Sequence, residues 1–552
     1  MIGVISKKSE EEIVREFFQL FKVPWEFYTS NRSYDVVLST RNEIPALNVK
    51  LLLLYSSETG RFDSDKGITT GFHFRNLTLE CDDIEFPIYG NILTFEAVCE
   101  PLIRVRGTNE AAEIEIDTQE TKILRIGFDL FREVSFLLSS GQPVEHAHIP
   151  TLEIHISILR NLTVDSGIPL IEIPPVPAGC DFITCLTHDV DFAGIRKHRF
   201  DHTMWGFAYR ALIGSFLDVL KRSISWKKLF QNWKSVALLP YVYLGLADDF
   251  WVQFDRYIKV ENGLGSTFFM IPFKNRAGQN ISDQAPKRRS ARYDVTDVKL
   301  EVRRLVSCGC EIGLHGIDAW QGSEKGREEF NRISHVIGDS NIGVRMHWLY
   351  FCNRSPQILE NAGFSYDSTF GYNDAVGYRG GTTQVFRPLG AKKLLELPMH
   401  IQDTALFYPK RMGLTETQAL ELCKRLARNA SIYGGVLVIN WHQRSLGPER
   451  LWGDFYVRLL EEIKKYNVWF ATAGQVVKWF DKRRSISFDN MHLTSNRLNL
   501  KLNGPADDSL PHLVLRSYRP KAKSSDDIMP FPHTRNYVDI PLPGGGETEI
   551  HL

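Results

Sequence analysis

The sequence lacks long hydrophobic runs and has no excess of charge of either sign. None of its 552 residues lies in an uninterrupted apolar run of the roughly 18–20 residues that a membrane-spanning helix needs. Lysine plus arginine and aspartate plus glutamate both number 66, so the formal net charge is zero. A balanced charge gives no electrostatic reason to expect nucleic acid as a partner. We therefore expect no transmembrane segment and no nucleic-acid partner.

The first residues lack the apolar core of a secretion signal, and the cysteines lack a metal-site spacing. Lys7, Lys8 and the acidic run Glu10–Glu12 occupy the positions where a signal peptide is apolar. The pattern of Ile13, Phe17, Phe18 and Phe21 predicts an amphipathic helix there instead. The eight cysteines are scattered, and only Cys308 and Cys310 lie close together. We expect reduced thiols and a cytoplasmic location.

The chain divides into three blocks. Residues 1–175 predict an N-terminal α/β or α+β domain, with strands at Tyr34–Ser39, Leu47–Tyr55 and Ile88–Phe95 and no polar cluster that would carry chemistry. The proline-rich segment Pro169–Gly179 predicts an extended linker. Residues 489–552 contain short strand-like runs and end in a segment rich in proline and glycine. They predict a small β-rich C-terminal extension with a mobile terminus.

The middle block, residues 176–488, alternates short apolar runs with helical patterns. This alternation predicts an α/β architecture with a parallel sheet, either open or closed into a barrel. The predicted strands are Phe182–Leu186, Ser266–Ile271, Glu311–Leu314, Gly343–Met346, Leu394–Leu397 and Val436–Asn440.

A helical insertion at about 203–243 interrupts this alternation. It mixes basic and aromatic residues: Lys221, Arg222, Trp226, Lys227, Lys228, Phe230 and Trp233. Such a face is compatible with peripheral contact to a membrane surface. Packed helices with solvated lysines give the same pattern, and we expect that second arrangement.

Polar residues follow four of the predicted strands at the point where each strand ends. Asp189 and Asp191 leave the first strand together, and two adjacent carboxylates favour a bound cation, with one as ligand and the other as a base. His315 ends another strand, and imidazole is a good zinc ligand. Arg345 and His347 lie at the end of a third strand, and His442 follows a fourth. In a parallel α/β fold these ends converge, and together they suit a hydrolase with a metal, a base and a separate acid.

The middle block resembles the polysaccharide deacetylases, carbohydrate esterase family four, in the order and spacing of its motifs. Thr187–Asp191 resembles the first motif in its Asp-x-Asp form. Gly313-Leu-His315, Arg345 and His442 resemble the second, third and last motifs. The resemblance spans about 180–485 and implies a distorted (β/α) barrel flanked by the two other domains.

The resemblance also implies roles for single residues. Asp189 would be the general base, Arg345 would orient or charge it, and His442 would be the general acid toward the leaving amine. Asp191 and His315 would bind a divalent metal, most simply zinc.

One position departs from the family pattern. The second motif is usually His-x-x-x-His, but the residue four after His315 is Ala319. Asp318 is the nearest substitute and our expected third ligand, and His347 is an alternative. The pair His198 and His202 has zinc-ligand spacing of its own, but a charged surface turn is the more ordinary interpretation.

We expect a metal-dependent hydrolase that removes the acetyl group from an N-acetylated sugar or glycoconjugate precursor. Trp320, Trp348, Tyr350, Phe370 and Trp441 lie near the motifs and are candidates for stacking on a sugar ring. Two alternatives remain. One is hydrolysis of a non-sugar linear amide by the same residues. The other is a non-catalytic protein that keeps the barrel to bind a carbohydrate or another partner, which Ala319 favours.

Overall fold

The computed structural model describes most of the chain. The described residues are 1–96, 100–108, 110–118, 120–221, 224–279, 290–494, 497–503, 509–520, 537–542 and 546–551. Among them, no helix combines the length and the hydropathy that crossing a bilayer requires. No disulfide joins any of the seven cysteines that are described.

The N-terminal block contains a mostly parallel sheet of six strands and a separate antiparallel sheet of three. Its strands are β1 (Ile2–Ile5), β2 (Trp25–Phe27), β3 (Val36–Ser39), β4 (Leu51–Tyr55), β5 (Thr70–Cys81), β6 (Ile84–Phe95), β7 (Ile103–Val105), β8 (Glu113–Asp117) and β9 (Lys122–Ile126). The larger sheet has the order β2-β1-β3-β4-β9-β8, in which only β8 is antiparallel to its neighbour, and the smaller has the order β6-β5-β7. Its helices are α1 (Glu11–Leu20), α2 (Arg61–Asp65), α3 (Leu130–Ser139) and α4 (Thr151–Asp165). An α/β domain is therefore confirmed here.

The middle block is built around one parallel sheet of nine strands. After β10 (Leu170–Glu172), its strands are β11 (Phe182–Val190), β12 (Ser266–Met270), β13 (Glu311–Gly316), β14 (Gly343–Met346), β15 (Tyr366–Asp367), β16 (Leu395–Glu396), β17 (Ile401–Gln402), β18 (Val436–Asn440) and β19 (Val468–Phe470). The order is β16-β15-β14-β13-β12-β11-β18-β17, and β19 also pairs with β11. Every residue of β11 is buried, as expected of a strand covered on both faces. This curled parallel sheet confirms the predicted fold class.

Helices cover the sheet and also form the insertion. The insertion contains α5 (His202–Tyr209), a π-helical turn at Arg210–Gly214, α6 (Ser215–Leu220) and α7 (Trp226–Tyr243), as predicted. The remaining helices are α8 (Phe254–Val260), α9 (Lys299–Ser307), α10 (Ser323–Ile337), α11 (Ser355–Ala362), α12 (Asp403–Phe407), α13 (Glu416–Tyr433), α14 (Gly453–Ile463) and α15 (Ala473–Ser485). Local sequence explains several helix ends: Thr415 and Gln418 form a capping box at the start of α13, and Gly338 ends α10 in the left-handed region.

The C-terminal block adds five strands and returns to the linker. They are β20 (Ser487–Thr494), β21 (Arg497–Asn503), β22 (Leu513–Tyr518), β23 (Tyr537–Leu542) and β24 (Gly546–His551). Strand β22 pairs antiparallel with β10, so part of the predicted linker is a strand. The predicted boundary at 488/489 lies inside β20. Residues 543–545 of the proline- and glycine-rich end lie outside the described residues, but β23 and β24 flank them.

A buried arginine fastens the last helix to the first block. The guanidinium of Arg483, on α15, is fully buried. It donates to the carbonyl oxygens of Gln19 and Leu20, both at 2.9 Å, and to that of Ile173 in the linker at 2.7 and 2.9 Å. One side chain therefore joins segments from all along the chain.

Candidate metal and catalytic site

The parallel sheet brings the predicted polar residues to one edge. Strands β11, β13, β14 and β18 are neighbours or near neighbours in the sheet, and their carboxyl ends lie on the same side. His315 and Arg345 are paired in the register of β13 and β14, and Thr187 is paired with Asn440 in β11 and β18. The convergence predicted from the strand ends is thus present in the fold.

Asp189 and Arg345 form a buried ion pair. The Arg345 Nη1 atom donates to Asp189 Oδ1 at 3.0 Å, and both side chains are almost fully buried. The second carboxylate oxygen, Oδ2, accepts from Asn440 Nδ2 at 2.8 Å. Burial alone would raise the pKa of Asp189, but the guanidinium of Arg345 and the neighbouring histidines lower it below its ordinary value. Asp189 is therefore held ionised and in one orientation.

Asp191, His315 and His347 form a group with metal-ligand geometry. The Asp191 Oδ1 atom lies 3.3 Å from His315 Nε2 and 3.5 Å from His347 Nε2. One ligand atom from each of the three lies within 4.8 Å of the others. Two imidazoles and one carboxylate are a common ligand set of catalytic zinc.

The hydrogen bonds around this group test whether a metal fits it. His315 Nδ1 lies 3.0 Å from the carbonyl oxygen of Arg345, so a neutral His315 carries its proton on Nδ1 and turns a lone pair on Nε2 toward Asp191. Asp191 Oδ1 is buried and has no hydrogen-bond partner among the described residues. Two facing lone pairs require a cation between them, and a divalent metal meets that requirement.

Protonation is the competing way to satisfy the same atoms. Burial would lower the pKa of His315, but the charges of Asp189 and Asp191 raise it above its ordinary value. Burial would raise the pKa of Asp191, but the neighbouring His315, His442 and His347 lower it well below its ordinary value. These carboxylates thus favour a positive charge at this position, whether a proton or a metal supplies it.

An unusual backbone follows His347. The two residues after it, Trp348 and Leu349, both have positive φ, at 67° and 52°. Left-handed backbone is costly for such bulky residues and is found mostly where function requires it. His347 thus lies between the end of β14 and a left-handed turn, with its Nε2 facing Asp191.

The other predicted metal ligands lie elsewhere. Asp318 is outside the three-residue group, and its Oδ1 accepts from the backbone N–H of Gln279 at 2.8 Å. His198 bonds through Nδ1 to Asp201 at 2.8 Å, and Asp201 caps the helix α5. His202 is exposed on that helix, so the structure does not bring this pair together as a site.

His442 is held by a carboxylate that sequence reasoning missed. Its Nδ1 lies 2.6 Å from Asp403 Oδ1, and its backbone N–H donates to Asp403 Oδ2 at 2.9 Å. Its Nε2 faces the metal group, 3.7 Å from Asp191 Oδ2. Asp403 is fully buried. Burial alone would raise its pKa, but the charge of His442 outweighs this effect and lowers the pKa below its ordinary value, so Asp403 stays ionised. The arrangement fixes the imidazole with Nε2 toward the site.

Of the five aromatic residues near the motifs, three, including Tyr350, are buried. Trp441 and Phe370 are buried in hydrophobic clusters. Trp348 is half-buried, and its ring lies 5.7 Å from that of His347. Trp348 is therefore the aromatic residue best placed beside the site.

The fold and the site together define a parallel α/β protein. One edge of its sheet carries the ion pair Asp189–Arg345 beside a group of residues with metal-ligand geometry. No family model and no curated protein matches the chain. Solved structures do match. Agd3, a carbohydrate deacetylase, shares 10% identity over 100% of this chain and 99% of its own, with a TM-score of 0.38.

Two further structures cover the middle of the chain. One is assigned as a polysaccharide deacetylase from Mycobacterium smegmatis, with 19% identity over 56% of this chain and 94% of its own and a TM-score of 0.35. The other is assigned as a polysaccharide deacetylase involved in O-antigen biosynthesis from Bordetella bronchiseptica, with 12% identity, coverage of 55% and 92%, and a TM-score of 0.22. The matches agree in kind with the predicted resemblance.

Proposed function

We propose that the protein is a metal-dependent amide hydrolase that deacetylates an N-acetylated sugar or glycoconjugate. The observation that carries the proposal is the arrangement of three units at one sheet edge. These are the pair Asp189–Arg345, the group Asp191–His315–His347, and His442 oriented by its buried carboxylate. A binding protein has no need of a buried base and an oriented acid on either side of a metal group.

The chain's own residues divide the proton transfers of amide hydrolysis. Asp189, kept ionised by Arg345, takes a proton from the attacking water as general base. His442 gives a proton from Nε2 to the leaving nitrogen, and Asp403 stabilises the positive imidazolium that precedes this step. Asp191, His315 and His347 would hold the metal, which when bound supplies Lewis acidity that eases deprotonation of water and stabilises negative charge on the carbonyl oxygen.

The third ligand in this proposal is His347 rather than Asp318. His347 Nε2 faces Asp191, whereas the Asp318 carboxylate is engaged by the loop at Gln279. His347 therefore offers the second imidazole that Ala319 removes from the usual position. The absence of a histidine at position 319 is therefore not an argument against a metal site in this proposal.

Metal content of purified variants tests the ligand set. We expect about one divalent ion per chain in the wild type, and loss of that ion in His315→Ala and in His347→Ala. Asp318→Ala is the matched control and should keep its metal. If Asp318→Ala loses the metal while His347→Ala retains it, the ligand set proposed here is wrong.

Release of acetate tests the reaction and the substrate class. The metal-loaded protein should release acetate from N-acetylated sugars, and Asp189→Asn with its metal retained should not. Hydrolysis of non-sugar acetamides with no activity on sugars would favour the alternative amide hydrolase. A metal-loaded protein that binds N-acetylated sugars without hydrolysing them would establish the binding-protein alternative.

A further inference from the structure

The insertion carries an exposed apolar stripe along its first helical segment. From α5 through the π-helical turn to α6, exposed large hydrophobic residues recur at helical spacing: Trp205, Tyr209, Leu212, Ile213, Phe216, Leu217 and Leu220. The side of this segment that packs on the protein is formed by other residues, Met204, Phe207, Ala211 and Val219. The exposed stripe is thus a second apolar face and not a by-product of core packing.

Helix α7 carries a second exposed stripe beside the first. Its members are Trp226, Phe230, Trp233 and Tyr241, and Leu244 and Leu246 follow in the turn after the helix. The indole N–H of Trp233 donates to the carbonyl oxygen of Leu212 at 3.3 Å, which brings the two stripes together. The rings of Trp226, Phe230 and Trp233 follow one another at 6.4 and 6.1 Å. We call this combined surface the hairpin face.

The hairpin face stands out from the rest of the described surface. More than half of the large hydrophobic side chains that are exposed in the described residues lie in segment 202–246. Trp205 and Leu220 are each 62% exposed and Phe230 is 59% exposed. Scattered exposed apolar residues need no explanation, but a contiguous aromatic patch marks an interaction surface.

The charge of the insertion is as uneven as its hydropathy. In the sequence, segment 202–246 has six basic residues, Arg210, Lys221, Arg222, Lys227, Lys228 and Lys234, and one acidic residue, Asp218. The whole chain, by contrast, has no net charge. Lys221, Lys227 and Lys234 are exposed, and the last two each follow a tryptophan of the α7 stripe by one residue. Lysines therefore flank the apolar face.

The insertion is fastened to the part of the chain that carries His442. The Asn232 Oδ1 atom on α7 accepts from the backbone N–H of Glu449 at 2.7 Å. The guanidinium of Arg444 lies over the rings of Phe192 and Trp251, 4.3 and 4.6 Å from their centroids. Helix α7 and the residues that flank the insertion thus contact the segment that follows His442.

We propose that the hairpin face docks on an anionic lipid surface, with its aromatic stripes in the interface and its lysines at the headgroups. Trp, Phe and Leu on one face with lysines at its margins are the composition of helices that lie in a membrane interface. A second copy of this chain is a poorer occupant, since a twofold contact through the face would bring its positive charges against each other. The sequence analysis expected packed helices with solvated lysines, and the exposure of Trp226, Phe230 and Trp233 is the observation that favours docking instead.

The same geometry deepens the proposed function, on which this step rests. A site fixed beside a lipid-binding face favours an amide carried by a membrane-anchored glycoconjugate over the same amide on a free sugar. Docking would place the substrate's headgroup near the sheet edge and reduce the search for it to the membrane plane.

Cosedimentation of the full chain with vesicles tests the docking. Wild-type protein should pellet with phosphatidylcholine vesicles that contain phosphatidylglycerol, more weakly with phosphatidylcholine alone, and less as salt is raised. The triple variant Trp205→Ser, Leu220→Ser, Phe230→Ser should bind at least roughly tenfold more weakly, because large apolar side chains no longer leave water. Lys221→Glu, Lys227→Glu, Lys234→Glu should abolish the preference for phosphatidylglycerol.

A matched control separates the hairpin face from general hydrophobicity. Phe72 and Leu300 are exposed apolar residues outside the insertion, and Phe72→Ser, Leu300→Ser should bind vesicles like the wild type. Equal vesicle binding by the wild type and the triple serine variant would overturn the proposal. So would a wild-type dimer that the triple variant converts to monomer without any vesicle binding. Vesicle binding is measured without catalysis, so an inactive protein that pellets would refute the proposed function alone.

Discussion

Two buried aspartate–arginine pairs in this protein have nearly the same burial and different surroundings. In the N-terminal block, Arg125 and Asp63 are 2.8 Å apart and almost fully buried. Arg125 also donates to the carbonyl oxygens of Ser56, Glu58 and Ile126, and Asp63 accepts from the backbone N–H of Gly60. The hydrogen-bonding groups of this pair are bonded to each other and to the surrounding backbone.

The pair Asp189–Arg345 is equally well bonded but lies beside an open group. Arg345 donates to Thr187, to Ser368 and to Asp189. Next to it, however, Asp191 Oδ1 has no hydrogen-bond partner among the described residues, and three histidines face that carboxylate. A buried ion pair therefore indicates chemistry only when unsatisfied groups adjoin it.

The largest expected effect separates the two pairs by activity. Asp189→Asn should lower kcat on the order of a thousandfold, because the amide cannot take a proton although it still accepts from Arg345. Steady-state kinetics of acetate release, with metal content measured on the same sample, checks it. Wild-type turnover by this variant would remove Asp189 from the role of base.

The reverse contrast should appear in stability. Asp63→Ala should lower the free energy of unfolding by about 3–5 kcal/mol, because it leaves the guanidinium of Arg125 buried without its counter-charge. Urea denaturation measures this, and kcat of the folded fraction should not change. A loss below about 1 kcal/mol, as for an exposed pair, would mean that water reaches Arg125.

A smaller loss of activity is expected at the carboxylate that holds the acid. Asp403→Asn should lower kcat about a hundredfold, because His442 loses both its orientation and the charge that stabilises its protonated form. Asp454→Asn, at an exposed position early in α14, is the control and should be silent. Equal kcat for the two variants would show that His442 needs no partner.

The smallest expected effect is a pH dependence of stability in the N-terminal block. Burial raises the pKa of Glu133 to about 7, although the backbone N–H groups of Tyr89 and Gly90 donate to it. Between its ordinary pKa and about 7, the unfolded chain has lost this proton and the native chain has kept it. Stability therefore falls as pH rises through that window and is constant above it. Relative to Glu133→Gln, the wild type should lose up to about 3 kcal/mol, measured by denaturation at several pH values. A pH-independent difference between the two proteins would contradict the raised pKa.

The fold was predictable where strands are buried and bounded by local signals. Gly343–Met346 and Val436–Asn440 have the predicted bounds. The segment Ile123–Ser139 is one amphipathic run in the sequence, but in the structure it divides between β9 and α3. The break is at Gly127, where a Cβ atom would lie 1.9 Å from the carbonyl oxygen of Leu93. Close approaches of this kind depend on distant segments and leave no local pattern.

The residues of the candidate site were likewise predictable where they lie at the ends of buried strands. Asp189, His315, Arg345 and His442 each lie near or just after the end of a buried strand of four to nine residues, so a polar residue there is conspicuous in the sequence. Asp403 follows a strand of two residues, Ile401–Gln402, which is too short to be recognised. His347 directly follows β14 and was the alternative third ligand, but sequence spacing alone did not favour it over Asp318. Asn440 could have been found, since it is the polar last residue of the buried apolar strand β18.

The hydrogen bonds of Arg483 also bear on how the molecule unfolds. The guanidinium of Arg483, on α15, donates to carbonyl oxygens of Leu20 and Ile173, which lie more than 300 residues earlier in the chain. Strand β10 pairs with β22 across a similar sequence separation. A cut at 175/176 would sever the chain between groups that stabilise each other, so the middle block on its own would expose a buried charge and a sheet edge. The three blocks should therefore unfold together, in one calorimetric transition. The boundaries that the sequence predicts at 175/176 and 488/489 should not separate units that fold alone.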